Sequence, residues 1–244
     1  IKMSNNKFSA NAVFQRYEQK YILDSEQYSL LSAILSAHMQ MDEYGLHTIC
    51  TLYYDTDDYA IIRRSLDKPA FREKLRLRSY GIPGTEGMVY LELKKKFSGI
   101  TYKRRVPLLA KEAENYLQHF EYPEVHSQIF EEINWFVHQN ALSPKVLISY
   151  DRIALFGNED PNLRITFDAN VRWRDYDLDL TMGDYGALLL DGKRIMEIKT
   201  QTALPIWLCQ IFSSLAIIPA SFSKYGTVYR NYLSQREETS SNVK

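Results

Sequence analysis

Glu18-Gln19-Lys20, Glu92-Leu93-Lys94 and Glu197-Ile198-Lys199 repeat one arrangement at three distant points of the chain, a carboxylate and an ammonium two residues apart in strand-like sequence. Residues i and i+2 of a β-strand share a face, so each triplet sets an acid beside a base on one surface. Arg76 with Arg78, Lys103 with Arg105, and Arg152 after Tyr150 extend the same period. Flanking residues such as Tyr17, Tyr21, Leu91, Leu93, Met196 and Ile198 are apolar, so the opposite face packs against helices. One triplet alone would be satisfied by an ion-pair ladder on a solvated sheet. Three of them, with the additional arginines and lysines, fit a closed barrel whose charged face points inward, where charges need a ligand, a metal or water. A metal-bound polyanion is the guest such a lumen suits.

Lys74-Leu75-Arg76-Leu77-Arg78 concentrates three cations on one strand face. Arginine forks bind phosphate through two parallel hydrogen bonds, and lysine adds a mobile point charge. A nucleic-acid-binding strand is the rival reading, but the few neighbouring aromatics also read as packing residues, and a net charge of zero (30 Lys plus Arg, 30 Asp plus Glu) advertises no nucleic-acid partner. Arg152 and Arg164 continue the cationic set. Asp168, on the Arg164 face, is either a further interior carboxylate or a structural partner for an arginine. The five histidines lack metal-ligand spacing, and neither a Gly-rich phosphate loop nor a Gly-x-Ser-x-Gly elbow occurs.

The elements that must position these residues follow from period and punctuation. Strands are expected at Phe14–Leu23, His47–Tyr54, Ala70–Tyr80, Met88–Phe97, Ile100–Leu109, Val146–Phe156 and Leu163–Trp173. A final hairpin pairs Ala187–Leu190 with Arg194–Thr200 across Asp191-Gly192. Asp24 with Gln27 forms a capping box for a helix reaching about Met39, and Asp55 to Asp58 opens a short helix ending near Leu66. Two helices between Lys111 and Asn140 break around Tyr122-Pro123, and Leu204–Ile217 forms a closing C-terminal helix. With 244 residues, 45% of them hydrophobic, the expectation is a single α+β domain over residues 1–235 and a polar, disordered tail at 236–244. Cys50 and Cys209 read as buried free thiols, which places the chain in a reducing compartment. No signal peptide is visible, and Pro205, Gln210 and Pro219 interrupt the most apolar stretch, so a soluble, cytoplasmic chain without a membrane span is expected.

Taken together, Arg16-Tyr17-Glu18-Gln19-Lys20-Tyr21, Leu52-Tyr53-Tyr54-Asp55-Thr56, Lys74 to Gly81, Ile148-Ser149-Tyr150-Asp151-Arg152, Met196-Glu197-Ile198-Lys199 and Ser221-Phe222-Ser223-Lys224-Tyr225 resemble the polyphosphate-polymerase domain of the vacuolar transporter chaperone (VTC) complex. That domain is a branch of the triphosphate tunnel metalloenzymes. The resemblance implies a closed eight-stranded antiparallel barrel, or tunnel, with helices packed outside. It implies transfer of the ATP γ-phosphate to a growing polyphosphate chain, with a divalent metal, manganese or else magnesium. The catalytic positions it implies are Lys20, Arg76, Arg78, Lys94, Lys103, Arg152, Arg164 and Lys199. Tyr150, Ser223 and Lys224 join them as phosphate-binding positions, Glu197 is the metal ligand, and Glu18 and Glu92 are further metal-ligand candidates. The implied partners are ATP and polyphosphate, with room for a membrane-associated protein partner. The alternatives are a metal-dependent tripolyphosphatase or nucleoside triphosphatase, and a non-catalytic module that binds polyphosphate or inositol phosphates. Two positions depart from relatives: Arg16 stands where hydrolases of this type carry a glutamate, and Ser221 where polymerases carry a lysine.

Overall fold

The computed structural model describes residues 17–98 and 100–235. The tail expected at 236–244 and the first residues of the opening strand lie outside them. Ten strands and six α-helices follow one another as β1 (Tyr17–Leu23), α1 (Ser25–Leu35), β2 (Met39–Met41), β3 (His47–Asp55), α2 (Ala60–Leu66), β4 (Phe71–Tyr80), β5 (Met88–Phe97), β6 (Ile100–Leu109), α3 (Ala110–His119), α4 (Gln128–Gln139), β7 (Ser143–Gly157), β8 (Arg164–Arg174), β9 (Ala187–Leu188), β10 (Arg194–Thr200), α5 (Ile206–Ser214) and α6 (Lys224–Val228). A π-helical turn, Tyr229–Leu233, continues α6.

The strands form one antiparallel sheet in the order β1-β10-β8-β7-β3-β4-β5-β6, with β2 added beside β7 and β9 beside β8. The eight strands of the main path correspond to the expected wall, but the expected closure is corrected: among the described residues no ladder joins β1 to β6. A different segment occupies the free edge of β1. Tyr21 bridges to Pro219, and the Ala220 N–H donates to the Lys20 carbonyl at 2.7 Å. The sheet still curls far enough for Glu18 Oε1 on β1 to lie 3.9 Å from Lys94 Nζ on β5.

Alternation along the strands sorts the side chains as the period of two requires. Leu75, Leu77, Leu91, Leu93 and Val106 are buried on the outer face against Tyr116, Phe130, Ile133 and Phe136 of α3 and α4. Tyr21, Met196, Ile198 and Ile165 are buried against α1 and α5. A third core lies on the inner face, where Tyr53, Ile148, Tyr150 and Ile195 pack on Tyr225, Val228, Tyr229 and Leu233. The Leu204–Ile217 region thus forms a helix, α5, but outside the wall, and the element that enters the curl is the following one, α6. Its apolar residues recur at helical spacing, a signal weakened by Gly226, a poor helix former. Gly226 is there for closeness: a Cβ at this position would come within 2.9 Å of Leu66 on α2.

Other local expectations fare variously. Asp24 caps α1, accepting from Gln27 N at 2.8 Å while Gln27 Oε1 accepts from Asp24 N, which completes the capping box. Asp55 holds α2 from a distance, its carboxylate accepting from the backbone of Thr56, Ile61 and Ile62 and from the Tyr225 hydroxyl. The hairpin of Ala187–Leu190 with Arg194–Thr200 does not form. Both edges of β10 are taken, by β1 and β8, so β9 pairs with the far end of β8 instead. Cys50 is buried as expected, whereas Cys209 is exposed on α5. No helix among the described residues is long and apolar enough to cross a membrane.

Candidate functional site

The inner wall is organised around Glu92 of β5, whose side chain is wholly buried. Cross-strand register places Arg76 and Arg105 directly opposite it on either side. Arg76 Nε donates to Oε2 at 2.8 Å, Arg105 Nε to Oε1 at 2.6 Å, and Lys103 Nζ reaches Oε1 at 2.7 Å. Arg78 Nε stands 4.0 Å from Oε2. Burial alone would raise the pKa of this carboxyl, but the surrounding cations, Arg76 and Arg78 foremost, hold it far below the usual carboxylate range. Both oxygens therefore meet cations, and Glu92 ties Arg76, Lys103 and Arg105 together at the centre of the cationic wall. The same burial depresses Lys103 to about 8 in spite of its bond to Glu92.

A second cluster spans β1, β5 and β10. Glu197 Oε1 pairs with Lys199 at 2.6 Å and Oε2 with Lys20 at 3.6 Å, and Lys20 also lies 3.5 Å from Glu18. Burial opposes the charge on Lys20, yet Glu197 and Glu18 outweigh it and its pKa rises. Glu197 goes the other way, held low by Lys199 and Lys20 against the effect of burial. Among the described residues Lys74 meets no carboxylate at hydrogen-bond distance: Nζ donates to Ser223 Oγ at 3.1 Å, and burial together with Lys94, Lys20, Arg72 and Arg76 lowers its pKa to about 7. Burial also brings Lys94 to about 8, with Glu18 working against it.

These three lysines make anion binding pH-dependent. Lys74 gives up its charge around pH 7, and Lys94 and Lys103 around pH 8. A bound polyanion pulls their pKa values back up, so binding takes up protons between about pH 7 and 9, where the terminal phosphate is already ionised. Affinity for tripolyphosphate should fall by about tenfold or more across that window, a loss of the order of one charge-assisted hydrogen bond. Calorimetry at pH 8 in two buffers of different ionisation enthalpy reads the uptake directly, and no proton uptake would show that the lysines titrate normally. The ligand-free protein has the opposite dependence. Its unfolded state binds these protons more tightly, so stability rises with pH from about 7 toward the ordinary lysine range.

The third cluster joins β7, β8 and α6. Arg152 clasps Asp168 with Nε and Nη2 at 2.6 and 2.8 Å, and Lys224 Nζ, from the first position of α6, bonds the same carboxylate. Asp168 is therefore both an interior carboxylate and an arginine's partner. Tyr150 sits among three cations, with Arg78 Nη2 donating to its hydroxyl at 3.3 Å and Lys224 Nζ 4.1 Å from its ring centroid. Burial would raise this phenol, but Arg78, Arg152 and Lys224 lower it. Ser223 caps α6 by accepting from Gly226 N, which leaves its hydroxyl positioned for Lys74. Arg164 lies on the same face at the exposed end of β8, opposite Lys199 in register. Ser221 is exposed on the segment running beside β1.

The structure thus brings Lys20, Arg76, Arg78, Lys94, Lys103, Tyr150, Arg152, Lys199, Ser223 and Lys224 to one inner surface, with Arg164 at its rim. Lys74, Arg105 and Asp168 belong to that surface too, although they were not among the implied site positions. The period-two signal that singled out the others marks Lys74 and Arg105 equally. Buried on the same wall, Arg78 Nε, Thr51 Oγ1 and Thr166 Oγ1 have no hydrogen-bond partner among the described residues, as expected where a ligand's oxygens complete the set. Among the described residues no three His, Cys, Asp or Glu side chains gather to hold a metal. Glu197 with Glu18 across Lys20 still offers hard oxygen donors, which suits a divalent cation that takes its remaining ligands from phosphates and water.

The VTC domain family matches residues 15–232 of this chain. A candidate adenylate cyclase from Bacillus halodurans shares the fold at 14% identity and a TM-score of 0.56, covering 88% of this chain and 96% of that one. A candidate adenylyl cyclase from Hippeastrum, described as having a dominant triphosphatase activity, aligns at 15% identity and a TM-score of 0.52, covering 88% of this chain and 95% of that one. No curated protein matches the sequence. A match running from the first strand to the π-helical turn takes in every cluster of the inner wall, and the chain belongs to the VTC domain family.

Proposed function

We propose that this chain is an ATP-dependent polyphosphate polymerase that moves the γ-phosphate of ATP onto the end of a polyphosphate chain within its basic lumen. One observation carries the choice of acceptor: Glu18, Glu92, Asp168 and Glu197 are all held in ion pairs with lumen cations. None of the four stands unpaired as a general base for water. A terminal phosphate oxygen is already anionic near neutral pH and needs no general base, whereas water does. In the reaction the acceptor oxygen bonds to the γ-phosphorus, the bond from that phosphorus to the β,γ-bridging oxygen breaks, and ADP leaves with the electron pair.

Such a transfer asks chiefly for alignment and charge neutralisation. Arg76, Arg78 and Lys94 grip the donor's phosphates, Arg152, Lys224 and Tyr150 hold the neighbouring stretch, and Lys20 and Lys199 fix Glu197. A divalent ion, manganese or magnesium, would be held by Glu197 with Glu18 nearby, and would supply neutralisation of charge on the phosphoryl oxygens. Incubation with ATP and manganese, with products resolved by chain length, tests the reading. Growing polyphosphate together with ADP is the expected result. Free phosphate without chain growth would assign a hydrolase, and tight binding without ADP release a binding module.

A further inference from the structure

At the Tyr80 end of β4, the lining of the inner surface becomes aromatic. Tyr80 ends β4, Tyr90 lies on β5 opposite Arg78, and His47 begins β3, all on the strand face that carries Arg76 and Arg78. The Tyr80 and Tyr90 rings meet edge to face with centroids 5.7 Å apart, and His47 stands 6.2 Å from Tyr80. Tyr80 is 50% exposed, a large ring surface turned to solvent at the mouth of a polar lumen. Arg105 binds this cluster to the cationic wall. Its guanidinium lies 4.4 Å from the Tyr90 centroid, Nη2 donates to the Tyr80 hydroxyl at 2.9 Å, and Nε donates to Glu92.

Along β5, Tyr90, Glu92 and Lys94 share the inner face, so the Cα atoms of Tyr90 and Lys94 are about 14 Å apart at roughly 3.4 Å per residue. That distance is comparable to an extended nucleoside triphosphate from base to terminal phosphate. Aromatic faces beside an arginine take any nucleobase by stacking, and the strength follows ring area. We propose that Tyr80 and Tyr90, fixed by Arg105, form a stacking platform for the base of a nucleoside triphosphate whose phosphates run inward along Arg76, Arg78 and Lys94. The platform prefers purines to pyrimidines through overlap. It rests on the triphosphate reading above and adds to it the recognition of the nucleoside.

Inorganic tripolyphosphate separates the two readings, because it carries the phosphates without a base. In calorimetry, Tyr80→Ala should weaken ATP by about tenfold and CTP by less, the range of one stacking contact, while tripolyphosphate stays within about twofold of wild type. Tyr80→Phe, which keeps the ring and loses the hydroxyl, should bind ATP as wild type does. Parallel losses for ATP and tripolyphosphate would show that Tyr80 acts only by holding Arg105, and unchanged ATP affinity would remove the base from this face. Either result overturns the platform. A wild-type protein that fails to bind tripolyphosphate would instead overturn the triphosphate reading beneath it.

Discussion

Glu92→Gln should cost about 3–5 kcal/mol of folding stability, the usual consequence of removing one partner from a buried ionic cluster. The glutamine keeps the volume but leaves Arg76, Arg78, Lys103 and Arg105 without their shared anion. For a chain of this length that corresponds to a drop of roughly 10 °C in melting temperature. Tripolyphosphate brings the missing negative charge, so its stabilising effect should be larger on the variant than on wild type. Thermal unfolding with and without tripolyphosphate measures both quantities. A variant as stable as wild type would mean that Glu92 does not hold the wall together.

Glu197→Gln separates binding from turnover. The substitution removes one negative charge from the inner wall, and Lys20 retains Glu18 as a partner. Affinity for tripolyphosphate should therefore hold or tighten. An amide is a far weaker ligand for a hard divalent cation than a carboxylate, so ATP turnover should fall by about 100-fold or more. Calorimetry alongside steady-state ADP release gives the two numbers. Undiminished turnover at saturating manganese would remove Glu197 from the metal's ligand set.

The strand faces were legible in the sequence because the period of two is a local property. Leu91 and Leu93 flank Glu92, and once the leucines are buried outside, the glutamate has only the inner face. The same alternation placed Arg76 and Arg78, and the break at Tyr122-Pro123 divided α3 from α4. Closure of the barrel was not legible. It depends on whether β1 finds β6 or the 219–220 segment, a choice between distant pieces of chain that leaves no local mark. The hairpin at Asp191-Gly192 failed for a similar reason: a good turn specifies a bend, whereas the partners of β10 are set by whole-strand burial. Lys74 was visible as a cation, but its bond to Ser223 was not, because that residue arrives with the cap of α6.

The position of α6 also sets the order in which the molecule can assemble. β4, β5 and β6 follow one another in sequence and pair as a meander, so they can form quickly from local contacts. β1 must wait for β10, with Tyr17 pairing to Thr200, and the inner core must wait longer still for Tyr225 to Leu233. Pairings of such sequence separation are slow, because the intervening chain has to be ordered before they repay it. During synthesis the outer wall is therefore built first, and the inner face, lacking Lys224 and its helix, is the last part to acquire its native shape.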